Sequence, residues 1–175
     1  MNLQQWTHVP DKKYPKIKTY QCDWVDNFKG FKCVAELDFS IPQIIGYLTK
    51  LELMLDYNVP CEYAKIVRKI NSRRYYAHIG AKGVAMVVSA RDFVTYTELM
   101  NFDHNPTEQM ILTFSVDVPE APPSPKKSIR GVMVCGGWYL EKINPFKTRA
   151  HYVSMSDIKG SIPKWVLSMG VGQIT

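Results

Sequence analysis

The run Asp157-Ile158-Lys159-Gly160-Ser161-Ile162-Pro163-Lys164-Trp165 sets the architecture expected of this chain. Two apolar, strand-like segments precede it, Ile129–Ile143 and Thr148–Met155, joined by a Pro/Lys turn. Ser161 can accept hydrogen bonds from the spare amides that open a helix, and Pro163 is tolerated in a first turn for the same reason. The helix that follows, Ile162 to about Gly172, carries Trp165, Val166, Leu167, Met169 and Val171, with Lys164 its only charge. A surface helix normally shows one polar face. This one is apolar nearly all round, so the pattern places it over a sheet, a cavity or a membrane.

Working outward, the rest of the chain reads as strands around one helical segment. Lys16–Trp24 and Phe31–Phe39 flank Asp26-Asn27-Phe28-Lys29-Gly30, which has Asn and Gly where a turn can use them. The second strand alternates Cys33, Ala35, Leu37 and Phe39 against Lys32, Val34, Glu36 and Asp38. Ser40-Ile41-Pro42 repeats the cap-then-proline helix start. Ile44, Ile45, Leu48, Leu51, Met54 and Leu55 then recur at helical spacing through about Tyr57, with a bend expected near Lys50. Further strands are expected over Glu62–Ile70, Arg74–Ala81, Asp92–Phe102 and Met110–Val116. Ala121–Lys127 reads as an exposed loop, because strands resume directly after it. The layout is α+β: a long antiparallel sheet with helices on one side, a shape that leaves room for a small-molecule site.

Bulk properties narrow the field. The chain has 175 residues, enough for one domain with a real core, and its 46% hydrophobic and 22% charged content is that of a globular protein. The net charge of +6 is spread over many turns, with no basic helix of the kind that enters a major groove. A transient anionic membrane surface is therefore an expected partner and nucleic acid is not. Cys22, Cys33, Cys61 and Cys135 lack metal or disulfide spacing and read as thiols in a reducing compartment. No signal peptide and no bilayer-spanning run is visible, so a cytoplasmic protein, transiently at membranes, is expected. No Gly-x-Ser-x-Gly elbow, His-Glu-x-x-His pair or phosphate-cradling loop occurs, and neither a metal nor a cofactor is expected.

Four motifs in order resemble the START family, the steroidogenic-acute-regulatory-protein-related lipid-transfer domains. They are Leu55-Asp56-Tyr57-Asn58-Val59, Arg91-Asp92-Phe93-Val94, Gly137-Trp138-Tyr139-Leu140 and Asp157–Trp165. In the first, Leu55 replaces the family's usual tryptophan. The resemblance covers roughly Trp6 to Gly172. It implies a helix-grip fold, in which a curved antiparallel sheet wraps a C-terminal helix and encloses a lipid tunnel. It implies one lipid-binding domain over residues 1–175, short at both ends relative to the family. Members carry sterols, phosphatidylcholine, ceramide or related lipids between membranes. The family's steroid carriers place a carboxylate and an arginine in the cavity. Aligned without gaps, those positions fall here on His78 and Thr97, so the resemblance implies a neutral couple able to donate and accept hydrogen bonds.

The expected lipid wall follows. Phe93, Thr95, Thr97 and Leu99 share one strand face, and the resemblance points that face inward. Met110, Leu112 and Phe114 form the matching apolar face of the next strand. Met133, on the run before Gly136-Gly137, and Val166 and Met169, on the last helix, complete the set with His78. Arg91 and Asp92 read as strand-end groups that pin a turn, with a charged gate as the alternative. Gly136-Gly137 reads as a bulge or a site of close packing. The function expected is a non-catalytic lipid carrier. The alternatives are a cyclase- or hydrolase-like enzyme of the same fold, using His78 as its acid or base, and a lipid-sensing module of a larger protein.

Overall fold

Among the described residues ten strands form one sheet, interrupted by a short helical segment after the third. The computed structural model describes residues 6–10, 13–23, 29–58, 61–83, 88–124 and 128–160. In chain order the elements are β1 (Thr7–His8), β2 (Lys18–Asp23), β3 (Lys29–Leu37), α1 (Ile41–Leu48), a 3-10 turn (Leu51–Leu53), α2 (Met54–Tyr57), β4 (Cys61–Lys69) and β5 (Arg74–Ala81). Then come β6 (Arg91–Phe102), β7 (Asn105–Ser115), β8 (Ile129–Arg130), β9 (Val132–Asn144) and β10 (Lys147–Asp157). The sheet runs β1-β2-β3-β10-β9-β7-β6-β5-β4, antiparallel at each step. The helix expected from Ile162 onward, with Trp165, Val166 and Met169, lies outside the described residues.

Three departures from the sequence reading have local causes. The run Ile129–Ile143 is not one strand. It breaks at Gly131, whose amide donates to the Asp92 carbonyl at 2.9 Å, so β8 pairs parallel with the start of β6 and β9 moves on to β7. A Cβ at Gly131 would sit 2.4 Å from the Phe93 ring, so a side chain there would push that ring aside. Next, β7 starts at Asn105 rather than Met110, because Asp103 and His104 alone turn the chain from β6. Finally, Ala121 does not belong to an exposed loop. It packs with Val94 and Val118 on the outer side of the sheet, and among the described residues beyond it Pro122, Pro123 and Ser124 are exposed.

The helical segment follows the sequence closely. The Ser40 amide and hydroxyl both donate to Gln43 Oε1, at 2.9 and 2.8 Å, and Pro42 sits in the first turn, where no intrahelical donor is needed. Lys50 has an extended backbone (φ −89°, ψ 95°), which is the expected bend. On either side of it the segment docks twice. Ile41 and Ile44 of α1 pack on Leu140 and Ala150 of β9 and β10. Leu51 and Met54 pack on Tyr75 and Ala77 of β5. Each such apolar side chain contributes about 1.5–3 kcal/mol when fully buried. Two separated docking points hold the segment across the inner face of the sheet, and the space between them is the site.

Candidate functional site

A cavity of about 490 Å³ lies between the inner face of the sheet and Leu48, Leu51, Met54 and Asn58 of the helical segment. Its wall follows from strand pairing, because directly opposed residues in an antiparallel ladder share a face. Cys33 pairs with Tyr152, Tyr152 with Trp138 and Trp138 with Ile111, and all four line the cavity. On the other side Thr113 pairs with Thr97, Thr97 with Tyr75, Thr95 with Ala77 and Phe93 with Ile79, again all lining residues. The Trp138 and Tyr152 rings lean together with centroids 4.9 Å apart. At Gly137 the backbone adopts φ 138°, and a Cβ would fall 1.8 Å from the Ile111 carbonyl oxygen. Only glycine lets β9 approach β7 in this way, so the close-packing reading of Gly136-Gly137 applies.

The polar groups of the wall are neutral. Among the described lining residues none is Asp, Glu, Lys, Arg or His. The Thr97 and Thr113 hydroxyls are 3.2 Å apart. Burial pushes the Tyr75 phenol up, and its contact with Thr97 offsets part of that shift. Thr95 is 1% exposed and its hydroxyl has no hydrogen-bond partner.

The outer face of the same strands is charged. Asp92, 2% exposed, is the centre of a network. Its carboxylate accepts from His78 Nε2 at 2.8 Å, from Ser128 Oγ at 2.8 Å and from Arg130 Nε at 2.9 Å. The Tyr63 hydroxyl lies 3.1 Å from the same His78 nitrogen. Burial alone would raise the Asp92 carboxyl, but the bonds from Arg130, Ser128 and His78 outweigh it and hold it below the ordinary range. Arg91 donates to the carbonyls of Ser89, Ile158 and Lys159, tying the start of β6 to the chain just past β10. Both residues therefore act as cross-links, in line with the pinning role expected of them.

The sequence matches the family model described as the START domain over residues 3–175. The chain belongs to the START domain family. Solved structures agree on the fold. Human StAR-related lipid transfer protein 5 superposes with a TM-score of 0.82 at 17% identity, covering 97% of this chain and 80% of that one. The human StarD13 (DLC2) lipid transfer and protein localization domain gives 0.78 at 16% identity, covering 98% and 86%. A STAR-related lipid transfer protein fragment from Xanthomonas axonopodis gives 0.74 at 17% identity, covering 97% and 91%. No curated protein matches this START domain significantly in sequence. The curved, mostly antiparallel sheet is that of the helix-grip fold.

Within this START domain the expected lipid-wall residues divide. Phe93, Thr95, Thr97 and Met133 line the cavity. His78 does not. Tyr75, Ala77 and Ile79 of β5 face inward, so His78 between them faces out to Asp92, and no His78–Thr97 couple forms. Met110, Leu112 and Phe114 lie on the outer face too. Phe114 packs on Tyr96, which packs on Tyr76, while Ile111 and Thr113 take the inner face of β7. The cause is an irregularity at the β6–β7 hairpin. One step along β6, from Phe102 to Asn101, carries the partner from Asn105 to Gln109. Continued straight from the turn, the pairing would set Met110 opposite Thr97. The extra residues shift it by an odd number and exchange the two faces. Val166 and Met169 lie outside the described residues.

The sequence reading missed Tyr75, Ile111, Trp138, Tyr152 and Thr113 as wall residues. Tyr75-Ala77-Ile79 carried a usable signal, an apolar row alternating with Tyr76, His78 and Gly80.

Proposed function

We propose that this START domain is a lipid carrier: it shelters one lipid in the cavity and exchanges it with membranes, without catalysing a reaction. The observation that carries the reading is the cavity of about 490 Å³, walled by apolar side chains of β3, β5, β6, β7, β9 and β10. That volume falls in the range of single small-molecule sites, about 300–1,000 Å³. Each methylene withdrawn from water gains about 0.8 kcal/mol, so a chain of about sixteen carbons held in such a place avoids roughly 12 kcal/mol of exposure. The similar structures are named for lipid transfer, which supports the same reading.

The net charge of +6 suits brief docking on an anionic surface facing the cytoplasm, at about 1 kcal/mol per basic side chain near it. Among the described residues no helix is long and apolar enough to cross a membrane. An enzymatic role would need an acid or base within reach of the bound molecule. His78, the residue considered for it, is bonded to Asp92 on the opposite face.

Transfer of labelled sterol, phosphatidylcholine and ceramide between vesicles tests the proposal. Protein-dependent transfer of at least one is expected, slower in high salt. Ala35→Phe places a ring in the cavity and is expected to cut transfer by about tenfold or more while the fold is kept. Failure to move any of the three would remove the carrier reading.

A further inference from the structure

We propose that Ser124 is a phosphorylation site for a proline-directed serine kinase, and that the phosphate weakens docking of the domain on anionic membranes. The second clause rests on the carrier reading and adds a control to its docking step. The first stands without it.

Sequence and structure point to the same residue. Ser124 is the only serine or threonine of the chain followed directly by proline, in the run Pro122-Pro123-Ser124-Pro125-Lys126-Lys127. Proline-directed kinases select that proline because it carries no amide hydrogen to be left unpaired in their cleft. The cyclin-dependent class also favours a basic side chain three residues after the serine, the position of Lys127. A substrate segment must in addition be accessible and extended. Pro122, Pro123 and Ser124 are all exposed, and two prolines in succession favour an extended chain. The nearby Ser128 does not qualify, since its hydroxyl is donated to Asp92 at 2.8 Å.

The segment is presented from fixed ends. Ala121, 4% exposed, packs on Val94 and Val118, and its carbonyl accepts from Arg130 Nη2 at 3.1 Å. On the other side the Ser128 amide donates to the Ser124 carbonyl at 3.1 Å. Ser124 follows a cluster on the outer side of the sheet and is not part of the cavity wall, so its modification leaves the lipid site intact.

In the transfer, Ser124 Oγ attacks the γ-phosphorus of magnesium ATP. The bond from that phosphorus to the ADP oxygen breaks, ADP leaves, and the hydroxyl proton passes to the kinase's base. A phosphoserine carries a charge of about −1.5 to −2 at pH 7, which brings the net charge from +6 to about +4. The change falls where it opposes docking. Lys126 and Lys127 follow Ser124 in sequence. Arg91 pairs with Ala81 at the end of β5 and with Ile129 at the start of β8, and it donates to the Lys159 carbonyl. The exposed Lys82 and Lys159 therefore lie at the end of the sheet to which this loop returns. Basic side chains near an anionic surface attract it, and an added phosphate among them releases it.

The test has two arms. In the first, the full chain is incubated with a purified cyclin-dependent kinase and magnesium ATP, and phosphate is located by mass spectrometry. A single phosphate at Ser124 is expected, with none in Ser124→Ala and a rate lower by about tenfold in Lys127→Ala. Absence of phosphate at Ser124 overturns the inference and leaves the carrier reading standing. In the second arm, modified and unmodified protein are sedimented with vesicles of phosphatidylcholine, with and without phosphatidylserine. Phosphorylation should lower affinity for the phosphatidylserine vesicles by about tenfold at low salt and by less at high salt, with no change on phosphatidylcholine alone. Equal affinity of the two forms for phosphatidylserine vesicles overturns the control by phosphate and leaves the carrier reading untouched. No binding of the unmodified protein to those vesicles removes the docking step of the carrier reading together with its control.

Discussion

Along β6, Phe93, Thr95 and Thr97 look into the cavity, whereas Asp92, Val94, Tyr96 and Glu98 look away from it. The inner row meets only neutral neighbours. The outer row is cross-linked: Asp92 to His78, Ser128 and Arg130, and Glu98 to Tyr96 at 2.6 Å and Arg74 at 2.6 Å. A hollow sheet forfeits dispersion contacts on its open side, since atoms facing a void have no partners there. The difference between the rows shows where compensation comes from. Bonds that pin β5, β6 and β8 together lie where they do not fill the cavity, and among the described residues the cavity wall carries none of the charge.

The largest expected effect comes from cutting the outer network at its centre. Asp92→Ala leaves the partly buried Arg130 without its carboxylate and should cost about 3 kcal/mol in urea or thermal unfolding. Lipid affinity of the folded fraction should stay close to wild type, because Asp92 does not line the cavity. A cost under about 1 kcal/mol, the worth of a surface ion pair, would show that the outer face does not hold the sheet. The same network predicts a pH dependence. Asp92 has a folded pKa below its unfolded value of about 3.9, so its contribution is complete above that pH and is lost as pH falls through the folded value. The stability gap between wild type and Asp92→Ala should therefore narrow below about pH 4.

The next prediction contrasts neighbours on β7. Ile111 faces the cavity and Leu112 the outer surface. Ile111→Ala, which truncates a buried wall residue, should cost about 2–5 kcal/mol and also change lipid uptake. Leu112→Ala should cost less and leave uptake unchanged. If the two variants exchanged these phenotypes in a vesicle assay, the register of β7 would be the one that runs straight from the turn.

That register also marks how far the sequence could be read. The order of strands, the break at Lys50, the Ser40 helix start and the inward row Cys33-Ala35-Leu37 all follow from local patterns, and each appears in the fold. Thr95 and Thr97 follow too, since β6 alternates without interruption. What was hidden depends on distant or irregular pairing. Both faces of β7 are partly apolar, so composition alone could not choose between Met110-Leu112-Phe114 and Ile111-Thr113, and the hairpin irregularity that decides it leaves no residue signature. The partners of Asp92 lie 14, 36 and 38 residues away, beyond any spacing rule. Ungapped counting from Arg91 sets His78 in the cavity, whereas the alternation of its own strand points it outward.

The smallest effects probe the inner row itself and should have opposite signs. In lipid-free protein the Thr95 hydroxyl is buried without a partner, so Thr95→Val, close to it in shape, removes an unfavourable group. A gain of about 1 kcal/mol is expected in the unfolding of delipidated protein. Thr97 differs, because its hydroxyl lies 3.2 Å from that of Thr113, and Thr97→Val strands the partner. That change should lose about 1 kcal/mol under the same conditions. If Thr95→Val lowered the stability of the lipid-free protein instead, the hydroxyl would already be satisfied without ligand. The inner face would then be as fully bonded as the outer one, and the contrast along β6 would fail at the residue on which it is sharpest.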